Sequence, residues 1–278
     1  MKNILIIGGC GFIGGHLVDK LKNKYKVYVL DNQYCGNYKT NNVTYIEDTS
    51  ENIYKHFKNI KIDLIYHFGE FSRINQSFIK TKDCLNFNIK GTLEVIKFCT
   101  DKNIKLIYSA SSAIQDNKQN LSPYAYSKFH NINLIKNYSK WFGLKYNLLY
   151  FFNVYGPRQI GSGAMATVIG IFEKQFKDNK PLTVVKPGTQ RRNFTHIDDI
   201  IKGIIEASKK NNQEIMIGNK KSYSIIEVAK LFKTNIKYIK SQKGERFKSG
   251  KIINTLSFEP KKQLNYYINT ILSQKLKK

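Results

Sequence analysis

Arginine is scarce in this 278-residue chain: of 46 cationic side chains only those at 73, 158, 191, 192 and 246 are arginines. Acidic side chains number 20, which leaves a formal net charge of +26. A balance of that sign raises nucleic acid as a partner. The lysines, however, cluster only briefly (Lys209-Lys210, Lys220-Lys221, Lys261-Lys262, and Lys275, Lys277 and Lys278 in the tail) and are otherwise dispersed among Asn, Ile and Tyr. We read this as compositional bias and solvated faces, and expect no nucleic-acid partner. The positive field still favours the approach of a small anionic substrate. Cysteine is sparse too. Cys10, Cys35, Cys84 and Cys99 have neither metal-ligand spacing nor the density of a disulfide framework, so reduced structural thiols are expected. Histidines 16, 56, 67, 130 and 196 form no HxH or HxxxH pair, and no metal is expected. No apolar run reaches the roughly 18–20 residues that cross a bilayer, so no membrane partner is expected. The N-terminus passes directly into the strand pattern Ile4-Leu5-Ile6-Ile7-Gly8. That leaves no room for a signal peptide and points to a cytoplasmic location.

What is present is an ordinary globular composition, 41% hydrophobic and 13% aromatic, enough to build a sizeable core. Short β-branched runs alternate with helix-period stretches through the first half. Strands are expected at Asn3–Ile7, Lys26–Leu30, Val43–Glu47, Leu64–Phe68, Lys105–Ser109 and Tyr146–Phe152. Helices are expected at Phe12–Lys22, Ile53–Lys58, Leu85–Thr100 and Tyr124–Phe142. Strands that are apolar at nearly every position and alternate with helices predict an α/β fold with a doubly wound parallel sheet, buried on both faces. After Tyr155-Gly156-Pro157 the pattern loosens into a helix (Ala164–Lys177), a strand (Leu182–Val185), a helix (Asp198–Lys209), a strand (Glu214–Ile217) and short C-terminal elements. With no internal repeat and no long linker, the expected organisation is a nucleotide-binding region over 1–154, completed by elements near 195–218, and a smaller substrate-binding region over 155–278.

Gly8-Gly9-Cys10-Gly11-Phe12-Ile13-Gly14 follows the first strand and opens the first helix. Glycines at 8, 11 and 14 permit a tight turn, close backbone approach to a pyrophosphate and close helix–strand packing. The phosphates would sit on the helix N-terminus at Phe12 and Ile13, where free N–H groups and the dipole favour anions. Asp31 ends the second strand. A carboxylate there accepts bonds from the adenosine ribose hydroxyls and repels a 2′-phosphate, which favours NAD over NADP. Asp48, after the third strand, is either a contact for the adenine amino group or a helix cap beside Thr49 and Ser50.

Tyr124-Ala125-Tyr126-Ser127-Lys128 puts Tyr124 and Lys128 one turn apart on one helix face. A free phenol loses its proton near pH ~10. A neighbouring ammonium, helped by the charge of an oxidised nicotinamide, favours the phenolate. Such a base can take the proton of a sugar hydroxyl while hydride leaves the same carbon. Tyr126 is the decoy, since its partner four residues on is His130.

The glycine turn, the run Tyr108-Ser109-Ala110-Ser111-Ser112 after a strand, and Tyr124 with Lys128 form an ordered set. The set resembles the extended short-chain dehydrogenase/reductase family, in its NAD-dependent nucleotide-sugar epimerase/dehydratase branch. Further matches are His67-Phe68-Gly69, Asn88-Ile89-Lys90-Gly91-Thr92, Phe152-Asn153-Val154-Tyr155-Gly156-Pro157-Arg158, the segment from Gly188 to Asp199, and Gly244-Glu245-Arg246. By this resemblance NAD is the cofactor, held by the glycine turn with Asp31, Asn32, Asp48, Phe68, Tyr124 and Lys128. Ser111 hydrogen-bonds the reacting sugar oxygen, with Ser112 as the fallback. Tyr124 is the base, and Lys128 holds the nicotinamide ribose. Asn153, Arg192 and Arg246 fall where the family grips a nucleotide diphosphate, and Arg73 is expected to approach substrate or phosphate from the loop after the fourth strand. All five arginines lie in or beside these motifs, as expected where a planar bidentate donor must hold phosphate. Arg158 and Arg191 read equally well as structural ion-pair partners.

Three chemistries of the branch separate on residues. A 4,6-dehydratase adds an acid and a base beside the serine, and epimerisation next to a ketone adds a cysteine and a second acid or base. Ser112-Ala113 and the segment Ala110–Gln115 supply neither. The leading expectation is C4 epimerisation of a nucleotide-diphosphate sugar through a transient 4-ketone, with a dehydrogenase, 4-reductase or 4,6-dehydratase of the same family as the alternative and a non-catalytic NAD-binding regulator as a remote one. Three departures from the family pattern fall near the sugar pocket: Ile114-Gln115-Asp116, Tyr150, and Glu70 in place of a small residue. Leu85–Thr100 and Tyr124–Phe142 carry the apolar and aromatic residues for a homodimer interface.

Overall fold

Strands that are apolar at every position have no face to give to water. Ile4, Leu5, Ile6 and Ile7 of the first strand, and Val27, Val29 and Leu30 of the second, are accordingly buried. The structure, a computed structural model, describes residues 1–115, 120–240, 247–253 and 259–276. In chain order its elements are β1 (Asn3–Ile7), α1 (Phe12–Leu21), β2 (Lys26–Leu30), β3 (Val43–Ile46), α2 (Ile53–Phe57), β4 (Leu64–His67), α3 (Ile74–Ile79), α4 (Thr81–Leu85), α5 (Gly91–Asp101), β5 (Lys105–Ser111), α6 (Pro123–Phe142) and β6 (Tyr146–Phe151). There follow β7 (Val154–Tyr155), α7 (Val168–Lys177), β8 (Leu182–Val185), β9 (Arg191–Asn193), β10 (Thr195–His196), α8 (Ile197–Ser208), β11 (Gln213–Ile217), β12 (Ser222–Ser224), α9 (Ile225–Leu231), β13 (Ile236–Ile239) and α10 (Leu264–Leu276). Among the described residues no helix is long and apolar enough to cross a membrane.

The chain forms two compact units, and the first comprises Met1–Tyr150 and Ile204–Ile215. Its sheet runs β11-β6-β5-β4-β1-β2-β3, a doubly wound Rossmann order. The pairings from β5 across to β3 are parallel, with Ile4 of β1 opposite Val27 of β2 and Leu64 of β4. Strand order reverses between β1 and β4. At such a reversal the loops leaving the carboxyl ends part and leave a crevice for a ligand. Gly8, Asp31 and Phe68 stand directly after β1, β2 and β4.

Among the departures from the sequence reading, two lie next to the site. The single helix expected over Leu85–Thr100 is instead α4, a π-helical turn over Asn86–Lys90, and α5. The widened turn carries Asn88, wholly buried, whose amide donates to Ser127 Oγ (2.8 Å) and bonds the Phe71 backbone. β5 also runs two residues past Ser109, so that Ser111 is its last residue. α6 starts one residue before the expected Tyr124 and ends at Phe142 as expected, and both its ends are well signalled. Ser122 Oγ accepts from Ala125 N at 3.1 Å, Pro123 opens the helix, and Gly143 closes it in the left-handed region (φ 74°).

The second unit comprises Phe151–Gly203 and Met216–Lys278. Three two-stranded ladders (β7 with β10, β9 with β12, β8 with β13) accompany a core of Tyr155, Phe172, Leu182, Phe194, Phe232 and Ile268. α9 opens with a complete capping box, in which Glu227 N donates to Ser224 Oγ and Ser224 N to Glu227 Oε2.

Candidate active site

The glycine turn is shaped by what it cannot hold. Gly8 has φ +85°, and a Cβ there would lie 2.4 Å from Gly69 N. A Cβ on Gly14 would lie 2.0 Å from Gly8 O. Gly11 caps α1 without a side chain, and the first turn of α1, with Phe12, Ile13 and Gly14, contains no acidic residue. Its backbone N–H groups are thus left to an anion. Gly8, Gly11, Asp31, Asn32, Asp48 and Phe68 line one cleft of the first unit. Within it, Asp31 Oδ2 accepts from Cys10 N (2.8 Å) and Oδ1 from Gln33 N (2.7 Å). Burial raises its carboxyl above the ordinary value against those two bonds. Asn32 Oδ1 accepts from Tyr34 N at 3.1 Å and so shapes the next loop.

Asp48 is less available than its place in the cleft suggests. Oδ1 accepts from Thr49 N and Asn52 Nδ2, both at 2.8 Å, and Oδ2 meets His56 Nε2 at 2.7 Å. These bonds, that to His56 first, hold its carboxyl well below the usual range. It braces the turn leading into α2 while its edge lines the cleft.

The chemistry-bearing residues gather at β5 and the first two turns of α6. Tyr124 and Lys128, one turn apart, are both buried, whereas the decoy Tyr126 is 48% exposed and stacks on His130. Lys128 Nζ crosses to β5 and donates to Ser109 O at 2.5 Å, two residues before Ser111. Ser111 Oγ accepts from Ala113 N at 3.1 Å. A hydroxyl that accepts one bond keeps its own proton to donate. Ser112 begins the short 3-10 turn that follows. Arg73 sits at the start of α3, half-buried. Burial lowers its guanidinium, and the facing Tyr124 and Cys35 oppose that change.

Glu70 is the residue whose importance sequence reasoning missed. Its side chain is 2% exposed and forms an ion pair with Lys128 through Oε2. Oε1 accepts from Thr92 Oγ1 (2.6 Å), Tyr108 Oη (2.9 Å) and Asn131 Nδ2 (2.9 Å). Tyr108 is completely buried, and burial together with Glu70 drives its phenol well above the ordinary value, so it serves as a donor. His67, at the end of β4, bonds Thr92 Oγ1 through Nε2 at 2.8 Å. Burial brings its imidazole down to about 4. Because the Thr92 proton goes to Glu70, His67 must donate from Nε2. The signal in the sequence was a lone carboxylate set between Gly69 and Phe71, directly after a buried strand.

The substrate candidates beyond position 150 lie in the second unit. Asn153 donates from Nδ2 to Asn193 O at 3.1 Å, and Arg192 Nη1 to Arg191 O at 2.8 Å. Arg191 bonds Ser222 O at 2.7 Å and pairs with Glu227 at 3.4 Å, a structural role. Arg246 and Asp116 lie outside the described residues.

A doubly wound sheet with a glycine-turn cleft and a serine, tyrosine and lysine at the β5–α6 end defines a dinucleotide-dependent enzyme of the short-chain dehydrogenase type. The model of the NAD dependent epimerase/dehydratase family matches residues 4–218, and the chain belongs to that family. A putative UDP-glucose 4-epimerase from Methanocaldococcus jannaschii is 31% identical over 258 residues, covering 84% of this chain and 82% of that one. UDP-glucuronic acid decarboxylase 3 of Arabidopsis thaliana is 30% identical over 256 residues, covering 83% and 73%. The UDP-glucose 4-epimerase of Thermotoga maritima, solved with UDP-glucose, superposes with a TM-score of 0.92 at 25% identity over 99% of each chain. A UDP-glucuronic acid 4-epimerase variant from Bacillus cereus, solved with NAD, gives 0.86 at 25% identity over 99% of each chain. NAD is the cofactor of this family, and the first turn of α1, the glycine cradle and Asp31 fit it.

Proposed function

We propose that this protein is an NAD-dependent nucleotide-sugar epimerase acting at C4. The observation that carries the reading is Lys128, buried one turn after Tyr124 on α6 and bound across to β5 beside Ser111. Ser111 donates its O–H to the C4 oxygen, and Tyr124 takes the proton of that hydroxyl. NAD, when bound, supplies the hydride acceptor and the hydride that returns. Lys128 holds the nicotinamide-side ribose. After the 4-keto sugar has turned over in the site, Tyr124 gives the same proton back, so the reaction is balanced without an outside oxidant.

The choice among family reactions rests on what stands beside Ser111. Ser112, Ala113, Ile114 and Gln115 offer no carboxylate or thiol to eliminate water or to deprotonate next to the ketone. The buried carboxylate nearby, Glu70, is already saturated by Lys128, Thr92, Tyr108 and Asn131. Gripping of the nucleotide diphosphate falls to Asn153, Arg192 and Arg246, with Arg73 on the sugar side. The reading includes a homodimer built on α5 and α6; Tyr126, Phe129, Trp141 and Phe142 of α6 are exposed apolar surface. A monomeric mass in solution contradicts it.

The test is a panel of UDP-, dTDP- and GDP-hexoses, with UDP-glucuronate, followed by product separation. A C4 epimer is expected, and Tyr124→Phe should cut its formation by about 10²–10⁴-fold. Products that are exclusively 4-keto, reduced or decarboxylated overturn the reading.

A further inference from the structure

We propose that Glu70 is the positioning residue for Lys128, holding its ammonium in place for the nicotinamide-side ribose before the cofactor arrives. The inference deepens the role given to Lys128 above and rests on it. Lysine is a flexible four-carbon stem with a point charge, and ordering it costs rotamer entropy. Here that ordering is already complete. The ammonium has three hydrogens. One goes to Glu70 Oε2, one to Ser109 O, and a longer one, at 3.3 Å, to Ser109 Oγ, the weakest of the three and the one a ribose hydroxyl would take over.

Glu70 is itself held from two sides. Three neutral donors from α5, β5 and α6 (Thr92, Tyr108 and Asn131) take Oε1, so the carboxylate cannot rotate away without breaking them. Its loop is pinned next door: Asn88 Oδ1 accepts from Phe71 N at 2.7 Å, and Asn88 Nδ2 donates to Phe71 O at 3.2 Å. Asn131 joins the two anchors, donating also to Asn88 O at 2.8 Å. A buried ion pair returns little net stability for the desolvation it costs. What it provides here is a fixed position, and Glu70 lines the cofactor cleft next to Phe68 and Gly69.

The test compares NAD with ADP, which occupies the glycine turn and Asp31 without reaching the nicotinamide side. Glu70→Gln should weaken NAD by about two- to tenfold, the range for ordering one long side chain on binding, and leave ADP unchanged. Where turnover is measured, the loss should fall on kcat and leave the KM for the nucleotide sugar. Equal weakening of both ligands means a general structural role and overturns the proposal, as does unchanged NAD binding. Should Glu70→Gln alone not fold, the doubly neutral Glu70→Gln/Lys128→Met is compared with Lys128→Met. Matching NAD-to-ADP ratios support action through Lys128, and a lower ratio in the double variant overturns it. A panel without a C4 epimer, alongside a fallen NAD-to-ADP ratio in Glu70→Gln, removes the reaction and leaves this inference standing.

Discussion

Acidification tests how dry the floor of the site is. His67 has no exposed surface, and burial lowers its imidazole from 6.5 to about 4; Glu70 opposes the shift and Lys128 adds to it. In the window between those values the unfolded chain binds the proton and the folded one does not. The unfolded state therefore binds more protons, and stability rises with pH there. The contribution is complete above about pH 6.5 and is lost as pH falls towards the folded value. With about 1.4 kcal/mol per unit, linkage gives about 2 kcal/mol lost at pH 5 and about 3 kcal/mol at pH 4. His67→Gln keeps an amide donor for Thr92 and cannot take up the proton. Urea unfolding of both proteins should show the variant less stable near pH 7.5, with the gap closing by about 2 kcal/mol at pH 5. Asp48, also depressed, titrates alike in both and cancels. A gap that stays constant over this range refutes the burial argument for His67.

Two further outcomes follow from the cofactor cleft. Gly14→Ala places a Cβ 2.0 Å from Gly8 O, a backbone clash that must push α1 off the turn. It should cost about 2 kcal/mol in thermal unfolding and about tenfold or more in NAD affinity; undiminished affinity would remove the turn as the cofactor's seat. Asp31→Asn withdraws the charge that opposes a 2′-phosphate while one oxygen still accepts from Cys10 N or Gln33 N. The NADP-to-NAD affinity ratio should rise by about tenfold, and an unmoved ratio places the selectivity elsewhere.

The parts of this molecule legible in the sequence are those fixed by neighbours in the chain. β1, β2 and the span of α6 follow from apolar runs, a Ser-Pro start and a glycine stop. That Tyr124 and Lys128 stand one turn apart on α6 follows from helix periodicity alone. The Glu70 network was not legible, because its bonds join residues 22, 38, 58 and 61 positions apart. Without the fold, Glu70 is only a misplaced acid. The π-helical turn at Asn86–Lys90 was hidden likewise, because its apolar spacing fits an α-helix equally well. Asp48 was left between two roles in the sequence; in the structure both its oxygens are engaged, by Thr49 N and Asn52 Nδ2 and by His56, while the residue still lines the cleft. α3 and α4, of six and five residues, were not among the expected helices; segments that short show little period.

The net charge, the most conspicuous number in the sequence, is a poor guide to the field at the cofactor. Asp31, Asp48, Glu51 and Glu70 line the cleft, and none of the described residues lining it is a lysine or arginine. Glu70 is neutralised internally by Lys128, and Asp48 is taken up by His56, Asn52 and Thr49. That leaves Asp31 and Glu51, and of these Asp31 stands directly after β2 with backbone N–H groups of Cys10 and Gln33 bonded to its oxygens. A 2′-phosphate placed beside Asp31 would meet negative charge with no lining cation among the described residues to offset it, while the N-terminus of α1 offers its N–H groups to the two phosphates of NAD. Surface lysines are screened within about 10 Å at ordinary salt and do not compensate. On this reasoning the local dipoles and the acid at position 31, rather than the overall charge, are what Asp31→Asn puts to the test.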